Sequence, residues 1–149
     1  MSKAATMERS TRQRQAIRAA IDVAQRPLSP QEVLAASQAD VAGLGLATVY
    51  RNLKLLVEAG EIQAVSLPGD SARYEAARQA HHHHFQCTRC QRVFDVHRCP
   101  GDMAHMAPAG FSVERHELTL YGCCQQCAAP PATTARGKPL RLAVRGTRA

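Results

Sequence analysis

At 149 residues, with six cysteines, no tryptophan and 4% aromatic content, the chain allows one domain or two small ones with few large core residues. It has no apolar run long enough to span a bilayer and no secretory h-region, which points to a soluble, cytoplasmic protein whose cysteines bind metal or stay free rather than forming a disulfide scaffold. The net charge of +7 is uneven: +3 over residues 1–60, −1 over 61–128 and +5 over 129–149, a balance that draws a chain weakly toward nucleic acid.

Residues 11–25 form an amphipathic helix candidate, with Ile17, Ala20, Ile21 and Ala24 on one stripe and Pro27 ending it. The run Ser29-Pro30-Gln31-Glu32 opens a second helix, with Ser29 as N-cap, Pro30 at the first position and Glu32 closing a capping box; Gly43-Leu44-Gly45 breaks it. Residues 46–60, LATVYRNLKLLVEAG, make a third helix whose core face is Val49, Leu53, Leu56 and Val57, and Gly60 stops it. Tyr50, Arg51 and Lys54 fall off that face. They suit a recognition helix, with arginine for guanine, tyrosine for a thymine methyl and lysine for phosphate, although a plain solvated face has the same periodicity. Strands at 62–67 and 71–75 flank the turn Pro68-Gly69-Asp70, so helices followed by a hairpin describe a winged helix-turn-helix.

Four consecutive histidines, His81 to His84, come next. They are neither terminal nor long enough to read as an expression tag, and a solvated loop is the plainer alternative. In an extended chain side chains alternate between faces, so His82 and His84 form one His-x-His fork and His81 and His83 another. As a helix the run would bring only His81 and His84 together. Neutral imidazole binds zinc, iron, manganese or nickel, so one strand can give half of two metal sites. Beyond it, Cys87-Thr88-Arg89-Cys90 and Cys124-Gln125-Gln126-Cys127 are two C-x-x-C knuckles in a strand-rich context, which read as one four-cysteine structural zinc site. Cys99 and Cys123 fall outside that spacing. Strands are expected at 85–87, 93–96 and 111–121, and residues 129–149 read as a basic, disordered tail.

In this order, LATVYRNLKLL, RYE, HHHHFQCTRC and HELTLYGCCQQC resemble the ferric uptake regulator family over residues about 9–128. The resemblance implies an α+β protein: a winged-helix DNA-binding domain over 1–77, a hinge at 78–83 and a zinc-binding αβ dimerisation domain over 84–128. It implies a homodimeric, metal-dependent repressor reading AT-rich palindromic operators, with no membrane and no small-molecule substrate as partner. Thr48, Tyr50 and Arg51 match its DNA-recognition residues, and Thr11 and Arg14 match first-helix positions near the DNA backbone. Cys87, Cys90, Cys124 and Cys127 match the structural zinc site. Glu75, His82 and His84 match the hinge-located sensing site, and His81, His83 and His116 a further site that also takes a carboxylate. Asp102 is the expected carboxylate, with His97, Cys99 and His105 as rivals.

Two departures bear on the metal. Where the family commonly keeps a sensing histidine before the second helix, this chain has Arg26-Pro27-Leu28, leaving Gln63, Asp70 or water to complete the site, or three ligands only. Where iron-type members carry aspartate before the last histidine, His83 stands here, and a nitrogen in place of oxygen leans toward zinc. The expected ions are Zn2+ in the structural site and Zn2+ or Fe2+ in the regulatory one, with control of zinc-uptake genes as the expected role and an iron-responsive repressor as the alternative. A zinc hydrolase is disfavoured because the chain lacks H-E-x-x-H, an H-x-E paired with P-C-x-x-C, and a glycine-rich phosphate loop. A non-specific DNA-compaction or zinc-storage module would rest on Arg136, Lys138, Arg141, Arg145 and Arg148 of the tail.

Overall fold

The computed structural model describes residues 3–77 and 80–128. The expected tail at 129–149, and residues 78 and 79 of the hinge, lie outside the described residues. Three helices come first: α1 (Lys3–Ala24), α2 (Pro30–Ser37) and α3 (Leu46–Glu58). The capping box is present at α2, where Ser29 Oγ accepts from Glu32 N–H at 3.2 Å and Glu32 Oε2 accepts from Ser29 N–H at 2.9 Å. At the end of α3, Gly60 takes φ +69°. The Gly60 and Glu61 N–H groups then reach back to Val57 O and Leu56 O, closing the last turn.

Ile17 and Ile21 of α1, Val33 of α2 and Val49, Leu53 and Leu56 of α3 pack into one core with Leu28, Leu44 and Ile62. Val57, expected on the core face of α3, is instead 37% exposed, and Asn52 is buried in its place with Nδ2 bonded to Thr48 O at 2.9 Å. The buried stripe is therefore rotated toward Asn52.

A hairpin follows, β1 (Ile62–Val65) and β2 (Arg73–Ala76), antiparallel with Gln63 opposite Glu75. Leu28 pairs with Tyr74 beside it, so the wing is tied back to the α1–α2 connection. The second sheet has the order β4-β3-β5, from β3 (His83–Cys87), β4 (Val93–Val96) and β5 (Thr119–Gly122). β3 and β4 are antiparallel around the Cys87–Cys90 turn, while β5 runs parallel to β3. Gly122 keeps β5 close, because a Cβ there would lie 3.2 Å from the Phe85 ring. The strand expected over 111–121 is only four residues long, and residues 111–118 have no ladder. Short helix α4 (Gln125–Ala128) carries the last knuckle. The fold is α+β, as expected. Among the described residues no helix is long and apolar enough to cross a membrane.

Candidate metal centres and an outward helix face

The histidine run does alternate. His83 is 1% exposed, while His82 and His84 turn to the opposite side and meet Glu75. Glu75 Oε2 lies 3.3 Å from His82 Nε2 and 3.4 Å from His84 Nε2, and Gln63 donates to Glu75 Oε1 at 2.6 Å. The second nitrogen of His82, Nδ1, sits 2.8 Å from the Ala80 carbonyl. A carbonyl only accepts, so Nδ1 carries the proton and Nε2 is left facing the carboxylate as a potential ligand.

The fourth member of this cluster is Asp95, not Gln63 or Asp70. Gln63 holds Glu75, and Asp70 is engaged by Arg73 and Gln86. Sequence reasoning missed Asp95, although a signal existed. Strands that flank a knuckle turn form a hairpin, and its register sets Asp95 opposite His84.

The electrostatics of the cluster suit a cation. Burial alone would raise the Glu75 carboxyl, but hydrogen bonds from His84 and Gln63 and the His82 charge hold it below its ordinary value. Burial, followed by the Glu75 charge, pushes the Asp95 carboxyl up against the pull of His82, His84 and His97. His82 is raised: burial lowers it, and the Ala80 carbonyl, Glu75 and Asp95 outweigh that. Among the described residues Asp95 Oδ1 is buried without a hydrogen-bond partner. Two carboxylates and two imidazoles, one oxygen orphaned, fit a divalent cation.

On the other side of β3, His81, His83, Cys99 and His116 bring one ligand atom each within 4.8 Å of one another. Cys99 Sγ is 3.2 Å from His116 Nε2. Asp102, the expected carboxylate, is not in this group. Its Oδ1 accepts from Ala104 N–H at 2.8 Å, beside the short 3-10 turn Ala104–Met106, and its carbonyl faces His105. His97 instead lies near His82, with ring centroids 6.1 Å apart. Burial, then the neighbouring His81 and His116, lowers the pKa of His83 and keeps it neutral, the form that binds metals.

Cys87, Cys90, Cys124 and Cys127 also converge within 4.8 Å. Cys90 Sγ and Cys124 Sγ stand 3.8 Å apart and all six cysteines are free. Zinc–sulfur bonds of about 2.3 Å in a tetrahedron need sulfurs about 3.8 Å apart, so the spacing fits an ion and not a disulfide. The backbone N–H groups of Cys90 and Cys124 point at the Cys87 sulfur and, against its burial, lower its pKa to about 6. Hydrogen bonding with the Cys124 thiol, together with burial, pushes Cys127 up to about 12. A zinc ion bound there would hold the sulfurs as thiolates, displacing their protons. Cys123 lies outside this cluster and is exposed.

On α3, Tyr50, Arg51 and Lys54 are exposed and Thr48 is half-buried, and Arg14 is exposed on α1. Their face is free of the core that Val49, Leu53 and Leu56 enter.

The helices and hairpin make a winged helix, and one cluster of metal-ligating side chains, Glu75, His82, His84 and Asp95, lies between its wing and the following sheet. Residues 6–121 match the ferric uptake regulator family, and the chain belongs to that family, whose members are transcriptional regulators and not enzymes. Over 105 residues it is 34% identical to the ferric uptake regulation protein of Bordetella parapertussis, spanning 68% of this chain and 76% of that protein. Over 100 residues it is 29% identical to the peroxide operon regulator of Bacillus subtilis, spanning 65% and 68%. A solved zinc-bound manganese uptake regulator is similar with a TM-score of 0.66 at 27% identity, over 75% of this chain and 87% of that one.

Proposed function

We propose that the protein is a zinc-responsive repressor that binds AT-rich palindromic operators as a homodimer in the cytoplasm and controls zinc-uptake genes. In this reading residues 1–77 bind DNA, 78–83 are the hinge and 84–128 dimerise and hold structural zinc through Cys87, Cys90, Cys124 and Cys127. Thr48, Tyr50 and Arg51 read the major groove, while Lys54 and Arg14 meet phosphate.

The observation that carries the metal dependence is the cluster of Glu75, His82, His84 and Asp95. Glu75 belongs to the wing, and the other three to β3, β4 and the residues just before them. These four residues would hold the sensed cation, which supplies positive charge where the two carboxylates meet. Gln63 and the Ala80 carbonyl keep Glu75 and His82 turned toward it. Bound there, a cation favours the domain arrangement that brings all four donors together, and it shifts the population only by its preference for that arrangement. A palindromic operator read one turn apart needs two recognition helices about 34 Å apart, which fixes the arrangement DNA selects.

The donor set also supports a second reading. With Asp95 as the fourth donor, the cluster is two nitrogens and two oxygens, which suits ferrous iron as well as zinc. His83, the residue that leaned toward zinc, lies on the opposite face, in the Cys99 cluster.

Fluorescence anisotropy on an AT-rich palindromic duplex tests both. Zinc is expected to tighten operator binding by about 10-fold or more, within the usual range of allosteric coupling, and His82→Ala to remove that response while leaving the fold intact. Equal affinity with and without any divalent metal would sink the metal-gated repressor. A larger response to ferrous iron under anaerobic conditions would select the iron reading.

A further inference from the structure

We propose that the wing and the following sheet are fastened by a latch that uses no metal ligand, so that the chain holds part of its closed population before the sensed cation binds, and the latch sets how large the metal response can be. Its consequence for operator binding rests on the metal-gated reading, whereas the latch stands on contacts that involve neither DNA nor a cation.

The centre of the latch is apolar. Val65, the last residue of β1, and Leu67, just before the wing turn, pack with Val93 at the start of β4. All three are buried, Val93 to 0% exposure. Val65 and Leu67 belong to a cluster separate from the core that α1, α2 and α3 build, and the sheet residue Val93 completes it. Polar contacts ring this patch. From the wing, Arg73 Nη2 donates to the Gln91 carbonyl at 2.6 Å; from β3, Gln86 Nε2 donates to Asp70 Oδ2 at 3.1 Å. Both donors are buried side chains. Ahead of α2, the Arg26 guanidinium lies 5.8 Å from the centroid of the Phe94 ring in β4. None of these residues belongs to the three groups of potential metal ligands.

Swinging the wing off the sheet would wet three apolar side chains and break two buried hydrogen bonds, which water replaces only in part. The open arrangement is penalised whether or not a cation is bound. The regulatory consequence follows from populations. A cation can tighten operator binding at most by the reciprocal of the closed fraction it starts from, so a cation-free closed fraction of about one tenth caps the response at about 10-fold. Loosening the latch lowers that fraction and raises the cap. A weaker latch thus gives a protein that binds DNA less without metal and responds to metal more.

Methyl NMR reads the latch directly. Full-length protein keeps zinc in the four-cysteine cluster, checked by metal analysis, while both histidine-bearing clusters are emptied by chelation. We expect nuclear Overhauser contacts between the Leu67 and Val93 methyls in this state. Operator anisotropy reads the consequence. Leu67→Ala and Arg26→Met should each weaken cation-free binding by about 5-fold and zinc-loaded binding by less than about 2-fold, so that the zinc response widens. A misfolded wing would weaken both states alike, and two variants from different contacts guard against it. Methyl contacts that appear only on adding zinc, or both variants weakening the cation-free and zinc-loaded states equally, would overturn the latch. Operator binding indifferent to cations in the wild type and in both variants, with the methyl contacts present, would instead overturn the metal-gated reading and leave the fastened wing standing.

Discussion

Glu32 shows how much of this fold rests on single charged groups. Its carboxylate closes the α2 capping box, receives Arg26 Nη2 at 2.7 Å and Arg73 Nη1 at 3.1 Å. Burial would raise its pKa, yet the Arg26 hydrogen bond, the Ser29 N–H and the charges of Arg26 and Arg73 outweigh that and hold it below the usual value. The sign follows from linkage. A carboxylate whose folded pKa is depressed lends stability that is present in full above its unfolded value, about 4.3, and is lost as pH falls through the folded value. Glu32→Gln should therefore lower the urea midpoint at neutral pH and flatten the acid limb of the stability profile. An acid limb of unchanged steepness would show that Glu32 is not among the groups that titrate on unfolding. Arg26 also lies over the Phe94 ring, 5.8 Å from its centroid, so the segment where the family keeps a histidine is here fastened by charge.

Helix ends were legible in the sequence because their signals are local. Ser29, Pro30 and Glu32 announce the start of α2, and the structure supplies both reciprocal bonds. Ser29→Ala should cost about 1 kcal/mol, measured as a shift in the thermal midpoint; no shift would mean the cap is redundant with the Arg26 and Arg73 contacts. The alternation of His81 to His84 was equally legible, since period two is a property of any extended strand. What escaped is non-local. Asp95 joins the first fork only through the β3–β4 register, and the side chain beside His116 is Cys99, while Asp102 bonds the Ala104 N–H. The apolar alternation of residues 111–118 read as strand, but a strand needs a neighbour for its backbone groups. β5 pairs with β3 only from Thr119 onward, leaving Phe111 72% and Val113 38% exposed. On α3, periodicity weighed Val57 over Asn52, and tertiary packing rotated the buried stripe by one side chain.

At the scale of the whole molecule, Arg73 joins three parts that sequence alone sets far apart. It is 5% exposed and donates to Asp70 in the wing turn at 2.6 Å, to Glu32 in α2 at 3.1 Å and to the Gln91 carbonyl at 2.6 Å. Gln91 directly follows Cys90 and sits at φ +60°, a left-handed conformation that a non-glycine residue adopts at a cost of about 1–2 kcal/mol. The carbonyl Arg73 grips is thus presented by the knuckle, and the knuckle keeps its shape through its thiolates and whatever ion they hold. Gln86 reinforces the same junction by donating to Asp70 Oδ2 at 3.1 Å. If the four-cysteine cluster holds structural zinc as proposed, it stabilises the helical half as well as the sheet it belongs to. Cys90→Ser should lose the structural ion and with it much of the folding free energy, as for other structural zinc sites. Arg73→Met should cost about 3 kcal/mol, the low end for a buried pair, because Asp70 and the Gln91 carbonyl lose their buried donor while Glu32 keeps Arg26. Because both changes break the Arg73–Gln91 link, the double variant should be less destabilised than the sum of the two, by about 0.5–3 kcal/mol in denaturant unfolding of ion-loaded protein. Hydrogen exchange locates the effect: in Cys90→Ser the β1–β2 amides should lose protection, and in Arg73→Met background the same cysteine change should add little there. Additive free energies, or wing amides indifferent to Cys90, would show that the knuckle and the winged helix are held independently and that the Arg73 contacts merely coexist with the cluster.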